Sequence, residues 1–158
     1  MPLPTPELEH VADLTVRVGS PIEAGQVQGL NSQGRRRIIP IIGGELLGPR
    51  LRGRILPGGA DFQLIVSDRS TVLEARYLVE LEDGEHLYVQ NRALRRGSAQ
   101  DIARLARVEE VDPAAIYFRC LPSFEVSAAR HDWLLHSLFV GTGARFPDRV
   151  QLSFFRLS

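Results

Sequence analysis

The chain has no lysine: all 19 of its Lys and Arg positions are arginine. Lysine-borne covalent chemistry such as a Schiff base is therefore excluded, because a guanidinium stays protonated and cannot take that role. Cysteine occurs once, at Cys120, so no disulfide can form within the chain. Cys120 alternates with Phe118 and Ile116, which marks it as a packed core thiol rather than a reactive one. Charge of either sign is not in excess; 19 acidic residues balance the arginines. That balance removes any overall pull toward nucleic acid or an anionic membrane surface, and neither is expected as a partner. No apolar run approaches the ~20 residues of a membrane span. The opening MPLPTPELEHVADL has prolines and acids where a signal peptide has a basic start and an apolar stretch. A cytoplasmic protein is expected.

Catalytic signatures are scarce too. The four histidines, His10, His86, His131 and His136, are scattered without zinc-ligand spacing, so no metal is expected. Ser123 and the His131-Asp132 pair supply the letters of a nucleophilic site, but no G-x-S-x-G elbow accompanies them.

Glycine, by contrast, is concentrated in one place. GGELLGPRLRGRILPGGADFQ, Gly43 to Gln63, holds six glycines around Arg50, Arg52 and Arg54. A phosphate-binding loop needs a strand, the glycines, and then a helix whose first amides face the anion. Here the glycines lead into RLRGRIL and DFQLIV, both strand-like. They read instead as sharp turns and kinks in a β wall, where a Cβ would not fit. The GTG at Gly141 to Gly143 meets the same objection.

Period-two alternation begins at Leu14, Val16 and Val18 and recurs. Strands are expected over 35–42, with Pro40 at an edge or bulge, and over 50–56, 60–66, 71–81, 85–92, 116–121, 133–140 and 150–157. One helix should follow Ser98, with Asp101 in its first turn and Ile102, Leu105 and Ala106 on one face, ending before Asp112-Pro113. Many short strands with a single short helix predict an all-β antiparallel barrel or sandwich. Residues 1–10 are expected as an N-terminal arm and 11–158 as one domain.

Local register carries the first functional expectation. A turn at Ser67–Ser70 sets Asp61 opposite Arg76 and Gln63 opposite Glu74. A two-residue turn at Asp83-Gly84 sets Arg76 opposite Asn91 and Tyr77 opposite Gln90. Asp61, Arg76 and Asn91 then share a row across three strands, with Gln63 and Glu74 in the next. That cluster is either a surface ion pair or an interior polar group whose carboxyls titrate according to burial. A one-residue slip would reverse the faces.

The segments GRRRIIPIIGGELLGPRLRGRILPGGADFQ, ARYLVELEDGEHLYVQNRA, YFRCLPSFEV and WLLHSLFVGTGAR, in this order, resemble the family called domain of unknown function 3237. The resemblance runs through nearly the whole chain after the first ten residues. It implies a calycin-like, lipocalin-like antiparallel β-barrel that associates as a homo-oligomer. For some members it implies small-molecule chemistry in natural-product or aromatic-compound pathways without a redox cofactor. The polar and aromatic positions it points to are Arg36, Asp61, Arg76, Tyr77, Asn91, Arg119, Glu125 and Trp133. Phe62, Arg69, Ala93 and Cys120 depart from its usual residues.

Together these readings give a pocket with Asp61 and Glu74 as general acid or base and Arg76 beside them. Arg36 and Arg119 would clamp an anionic oxygen, Asn91 would supply an amide, and Tyr77, Phe124 and Trp133 would form flat walls. Cyclisation, dehydration or isomerisation of an oxygenated or aromatic metabolite needs only an acid, a base and an anion clamp, hence no cofactor. The alternatives are a non-catalytic barrel that binds a small ligand, and a structural protein with a filled interior.

Overall fold

Alternating side chains become ten antiparallel strands: β1 (Leu8–Val18), β2 (Ile22–Gln28), β3 (Gln33–Leu47), β4 (Arg52–Ile55), β5 (Ala60–Ile65), β6 (Ser70–Leu81), β7 (His86–Arg96), β8 (Tyr117–Val126), β9 (Phe139–Phe146) and β10 (Arg149–Leu157). The structure, a computed structural model, describes residues 1–158. The sheet runs β1-β10-β9-β8-β7-β6-β4-β3, and β1 pairs with β3 as well as β10, so the sheet closes on itself. β4 and β5 occupy successive stretches of one stave between β3 and β6, and β1 and β2 do the same along the other edge of β3. Ten strands thus make a closed eight-stave antiparallel barrel, the expected fold.

β3 shows how the glycine-rich stretch serves closure. Pro40 pairs with Ala60 of β5 on one side; on the other it falls between the end of the β2 pairing at Ile38 and the start of the β1 pairing at Ile41. Its missing N–H therefore costs no ladder hydrogen bond. Beyond it, Gly44 has φ +143, and a Cβ there would run into the Thr15 carbonyl of β1. The glycine is what lets β1 and β3 approach.

Several expectations are corrected. β2 carries no buried residue, so no hydrophobic alternation announced it. β1 begins at Leu8, taking the last residues of the expected arm into the sheet. The strand expected over 133–140 is instead a 3-10 turn, Ala129–Leu135, followed by β9. Its buried residues are His131 and Leu134, three apart, which is the period of a 3-10 turn and not of a strand. The helix is present as α1 (Ala99–Ala106), capped by Ser98, whose Oγ accepts from the Asp101 amide at 3.1 Å.

Both hairpin registers are one residue away from expectation. Val66 N–H bonds the Ser70 carbonyl, leaving a three-residue loop, and β5 pairs Asp61 with Ala75 and Phe62 with Glu74. Leu81 N–H bonds the Glu85 carbonyl around a loop ending in Gly84 at φ +88, and β7 places Asn91 opposite Ala75 and Gln90 opposite Arg76. A three-residue loop with glycine in the left-handed region replaces the two-residue turn.

The barrel interior has two halves. One is apolar: Leu14, Leu46, Ile55, Val79, Leu87 and Val89 pack with Phe154 and with Phe124, which meets Phe139 edge-on at 5.2 Å. The other half is polar, and it contains the candidate site.

Candidate functional site

The corrected register decides which polar groups enter the barrel. On β5, Asp61 and Gln63 point inward; on β6, Thr71, Ala75 and Tyr77; on β7, Asn91, Ala93 and Arg95. β3 adds Arg37, β8 adds Phe118 and Cys120, and β9 adds Arg145. Short side chains at Ala75 and Ala93 leave a hollow between them. The result is a chamber of about 40 Å³ walled by Asp61, Gln63, Tyr77, Asn91, Phe118 and Arg145 among others. Since one water needs roughly 10–15 Å³ of such space, the chamber has room for a few waters. A metabolite-sized site is typically some 300–1,000 Å³, so a larger ligand enters only if the wall moves.

Asp61 is the chamber's acid. Gln63 Nε2 donates to Asp61 Oδ2 at 2.8 Å, while Oδ1 is shut off from solvent with no partner. Burial raises the carboxyl's pKa; the Gln63 hydrogen bond, the positive charge of Arg95 and the Glu74 main-chain amide oppose that without reversing it. The Tyr77 hydroxyl and Asn91 Oδ1 are likewise buried and unpartnered. Burial drives the Tyr77 phenol far up, with the Cys120 thiol and Asp61 adding to the shift, so it is a neutral hydrogen-bond donor. Cys120 itself is pushed up to about 11, chiefly by burial. Unpaired buried polar atoms are uncommon in folded proteins and here four side chains share one region, Asp61, Gln63, Tyr77 and Asn91.

The remaining expected residues lie elsewhere. Glu74 and Arg76 are on the outer wall, joined to each other at 3.0 Å with side chains 45% and 46% exposed. The expectation that they share a face with Asp61 is corrected by the loop lengths above. Arg36 also sits on the outer wall, with Nη1 3.4 Å from the Gln63 carbonyl; its neighbour Arg37 is the inward one. Arg119 is exposed, donating to Thr142 Oγ1 at 2.9 Å, and it borders an open outer groove of about 800 Å³ with Tyr117, Leu121, Leu94 and Val72. Phe124 and Trp133 belong to the apolar half; Arg50 covers the Trp133 ring at 3.9 Å. Glu125 is exposed. Asp61, Tyr77 and Asn91 are thus the three expected residues that the fold brings together.

Arg37, Arg95 and Arg145 were not singled out from the sequence. The available signal was alternation: Arg95 lies two and four residues beyond Ala93 and Asn91 on the same strand face. No group of three or more His, Cys, Asp or Glu side chains is placed to hold a metal ion, and no helix is long and apolar enough to cross a membrane.

The model of the family described as protein of unknown function DUF3237 matches residues 6–157. The chain belongs to that family. Among DUF3237 relatives, a UPF0311 protein of Rhodopseudomonas palustris is 44% identical over 147 residues, covering 93% of this chain and 94% of its own. A UPF0311 protein of Clostridium acetobutylicum is 37% identical over 150 residues, covering 95% and 93%. A solved structure described as a β-barrel-like protein from Acinetobacter baumannii superposes with a TM-score of 0.84 at 35% identity, over 99% of both chains. A structure described as an enzyme from Penicillium herquei has a TM-score of 0.69 at 18% identity, over 100% of this chain and 99% of its own. At that identity the likeness to the fungal enzyme is one of fold.

Proposed function

We propose that this DUF3237 barrel is a cofactor-independent acid–base enzyme acting on a small oxygenated metabolite, with Asp61 as the proton-transfer group. The observation that carries the reading is the Asp61 carboxyl, in a residue that lines the chamber: one oxygen is held by Gln63, and the other is buried without a hydrogen-bond partner. Desolvation moves its pKa upward, toward the range in which a carboxyl both gives and takes a proton near neutral pH. The Tyr77 hydroxyl donates to a substrate carbonyl or hydroxyl oxygen, and the Asn91 carbonyl oxygen accepts from a substrate hydroxyl. Removing a proton beside a carbonyl with Asp61, while Tyr77 donates a hydrogen bond to the oxygen that gains charge, gives an enolate. Returning the proton to a different carbon completes an isomerisation; giving it to a β-hydroxyl that departs as water, as the carbon–carbon double bond forms, completes a dehydration; and giving it to the alkoxide left when the enolate carbon adds to a second carbonyl completes a ring closure.

The chamber's small volume favours a second reading, a barrel that binds a small ligand without turning it over. Both are tested by incubating the protein with hydroxyacetone in heavy water and following loss of the carbon-bound proton signal by NMR. The enzyme reading expects exchange faster than buffer, lost in Asp61→Asn and retained in Glu74→Gln on the outer wall. Exchange equal to buffer, or equal in Asp61→Asn, overturns it. Saturation-transfer contact without exchange is the signature of the binding barrel.

A further inference from the structure

The polar half of the barrel contains more positive charge than its carboxylates balance. Arg37, Arg95 and Arg145 come from β3, β7 and β9, three staves that meet only because the barrel closes. Burial is the first cause that lowers both Arg95 and Arg145; Arg37 lowers both further, Arg145 lowers Arg95, and Asp61 works against the depression of both. Arg95 is 4% exposed, with Nε and Nη1 buried and unpartnered; its guanidinium lies 5.8 Å from the centre of the Phe118 ring on the chamber wall. Arg145 lines the chamber directly, and its Nη1 turns back to the carbonyls of Phe146 and, at 3.3 Å, Arg149. Arg37 Nε lies 2.9 Å from Glu23 Oε1, out of hydrogen-bond alignment, and that half-exposed carboxylate is shared with Arg35 at 3.2 Å.

Three guanidinium groups therefore face one buried carboxylate, Asp61, and two exposed ones, Glu23 and Asp148, each shared with a further arginine, Arg35 at 3.2 Å and Arg149 at 2.9 Å, so positive charge stays in excess even with all three acids ionised. Burial pushes Arg95 down to about 10, which still leaves it charged at neutral pH. An unpaired buried charge is among the most destabilising features a fold can retain. A group that arrives from outside and pairs with it removes that cost.

We infer that Arg95 and Arg145, backed by Arg37, form an anion subsite at the Asp61 chamber that takes the carboxylate of a small monocarboxylic acid. The Nε and Nη1 of Arg95 lie on different edges of its guanidinium, both enclosed and both without a protein acceptor, so each keeps an N–H for one oxygen of an arriving anion. The limited space of the chamber beside it favours a small anion. The inference rests on the reading of the chamber as the ligand site, and it adds the substrate class: a small oxygenated acid, anchored by its carboxylate and presented to Asp61 by the rest of the molecule.

The test is titration of the intact protein with acetate, lactate, inorganic phosphate and the neutral isostere acetamide, read by calorimetry and by melting temperature. Acetate and lactate are expected to bind and to raise the melting temperature, and acetamide is not. Arg95→Met should weaken lactate binding by roughly tenfold or more, as loss of a charged hydrogen bond does. In anion-free buffer the same variant should melt no lower than the parent, because it removes an unpaired buried charge. Asp61→Asn should bind lactate more tightly, since it removes the one negative charge competing inside the barrel. No carboxylate-specific binding by the parent protein, binding of phosphate alone, or unchanged lactate affinity in both Arg95→Met and Arg145→Met overturns the subsite. Proton exchange on hydroxyacetone, a neutral molecule, is scored separately, so the acid–base reading and the anion subsite fail independently.

Discussion

Asp61 and Gln63, two residues apart on β5, bond side chain to side chain across 2.8 Å inside the barrel, the Gln63 amide donating to Asp61 Oδ2. The pair holds one carboxylate oxygen still and leaves the other buried without a partner. Gln63 is only 2% exposed, so the amide is as fixed as the strand that bears it.

Asp61 should make the stability of the fold depend on pH. The Asp61 pKa is raised above its ordinary 3.8 in the folded state. A carboxyl that holds its proton more tightly when folded favours folding below the unfolded value and loses that benefit as pH rises through the folded one. Asp61→Asn, which cannot ionise, should therefore gain melting temperature relative to the parent as pH rises from about 4 to 8. A variant that falls further behind the parent at pH 8 than at pH 4 would mean the ionised form is the stabilised one.

Asp83 should act in the opposite direction. Its carboxylate is held well below 3.8 by hydrogen bonds from Arg130, the Glu85 amide and His131, the last at 2.7 Å. A depressed carboxyl contributes above its unfolded pKa and loses that contribution as pH falls through the folded value. Asp83→Asn should make the acid side of the stability profile shallower. It should also speed hydrogen exchange in residues 129–135, which His131 ties to the β6–β7 hairpin; exchange unchanged there would show the tie to be idle.

Glycines of the same stretch should differ sharply in tolerance. At Gly44 an alanine Cβ would collide with the Thr15 carbonyl, and φ is +143; at Gly58, with φ +112, nothing lies within 4 Å. Gly58→Ala should cost about 1–3 kcal/mol, the strain of the backbone region alone. Gly44→Ala should exceed about 4 kcal/mol by adding a backbone clash at the seam of the barrel. Equal losses in chemical denaturation would refute the claim that Gly44 is needed for the β1–β3 approach.

Cys120 should be inert in the native protein. The thiol is buried, its pKa is pushed up to about 11, and its sulfur would lie 2.6 Å from a Cβ placed on Gly141. Thiol-directed reagents should modify it only after unfolding. Prompt reaction of the folded chain at neutral pH would show that the barrel opens at the β8–β9 seam.

Much of this molecule was legible along the chain. Alternation at Leu14–Val18, the turn residues between strands and the Ser98 cap each depend on neighbours a few residues away, so an all-β class, barrel or sandwich, and the single helix could be read locally. The glycine stretch could be recognised as wall rather than phosphate loop for the same reason. Register could not, because it depends on whether a hairpin loop closes over two, three or four residues, a choice made by the hydrogen bonds of Val66 with Ser70 and Leu81 with Glu85. The two slips cancel across β6, which keeps Asp61 and Asn91 in one row and exchanges Arg76 for Ala75 between them.

The arginine cluster was decided by tertiary structure alone. Arg37, Arg95 and Arg145 are separated along the chain, and each looks like one more surface arginine in a sequence that uses no lysine. Composition and alternation determined that this chain makes antiparallel β structure with charged residues on its strands, and the resemblance to its family pointed to a barrel. Only closure of the sheet, which turns one face of every stave inward at once, decided which charges are removed from water and which partners they lack.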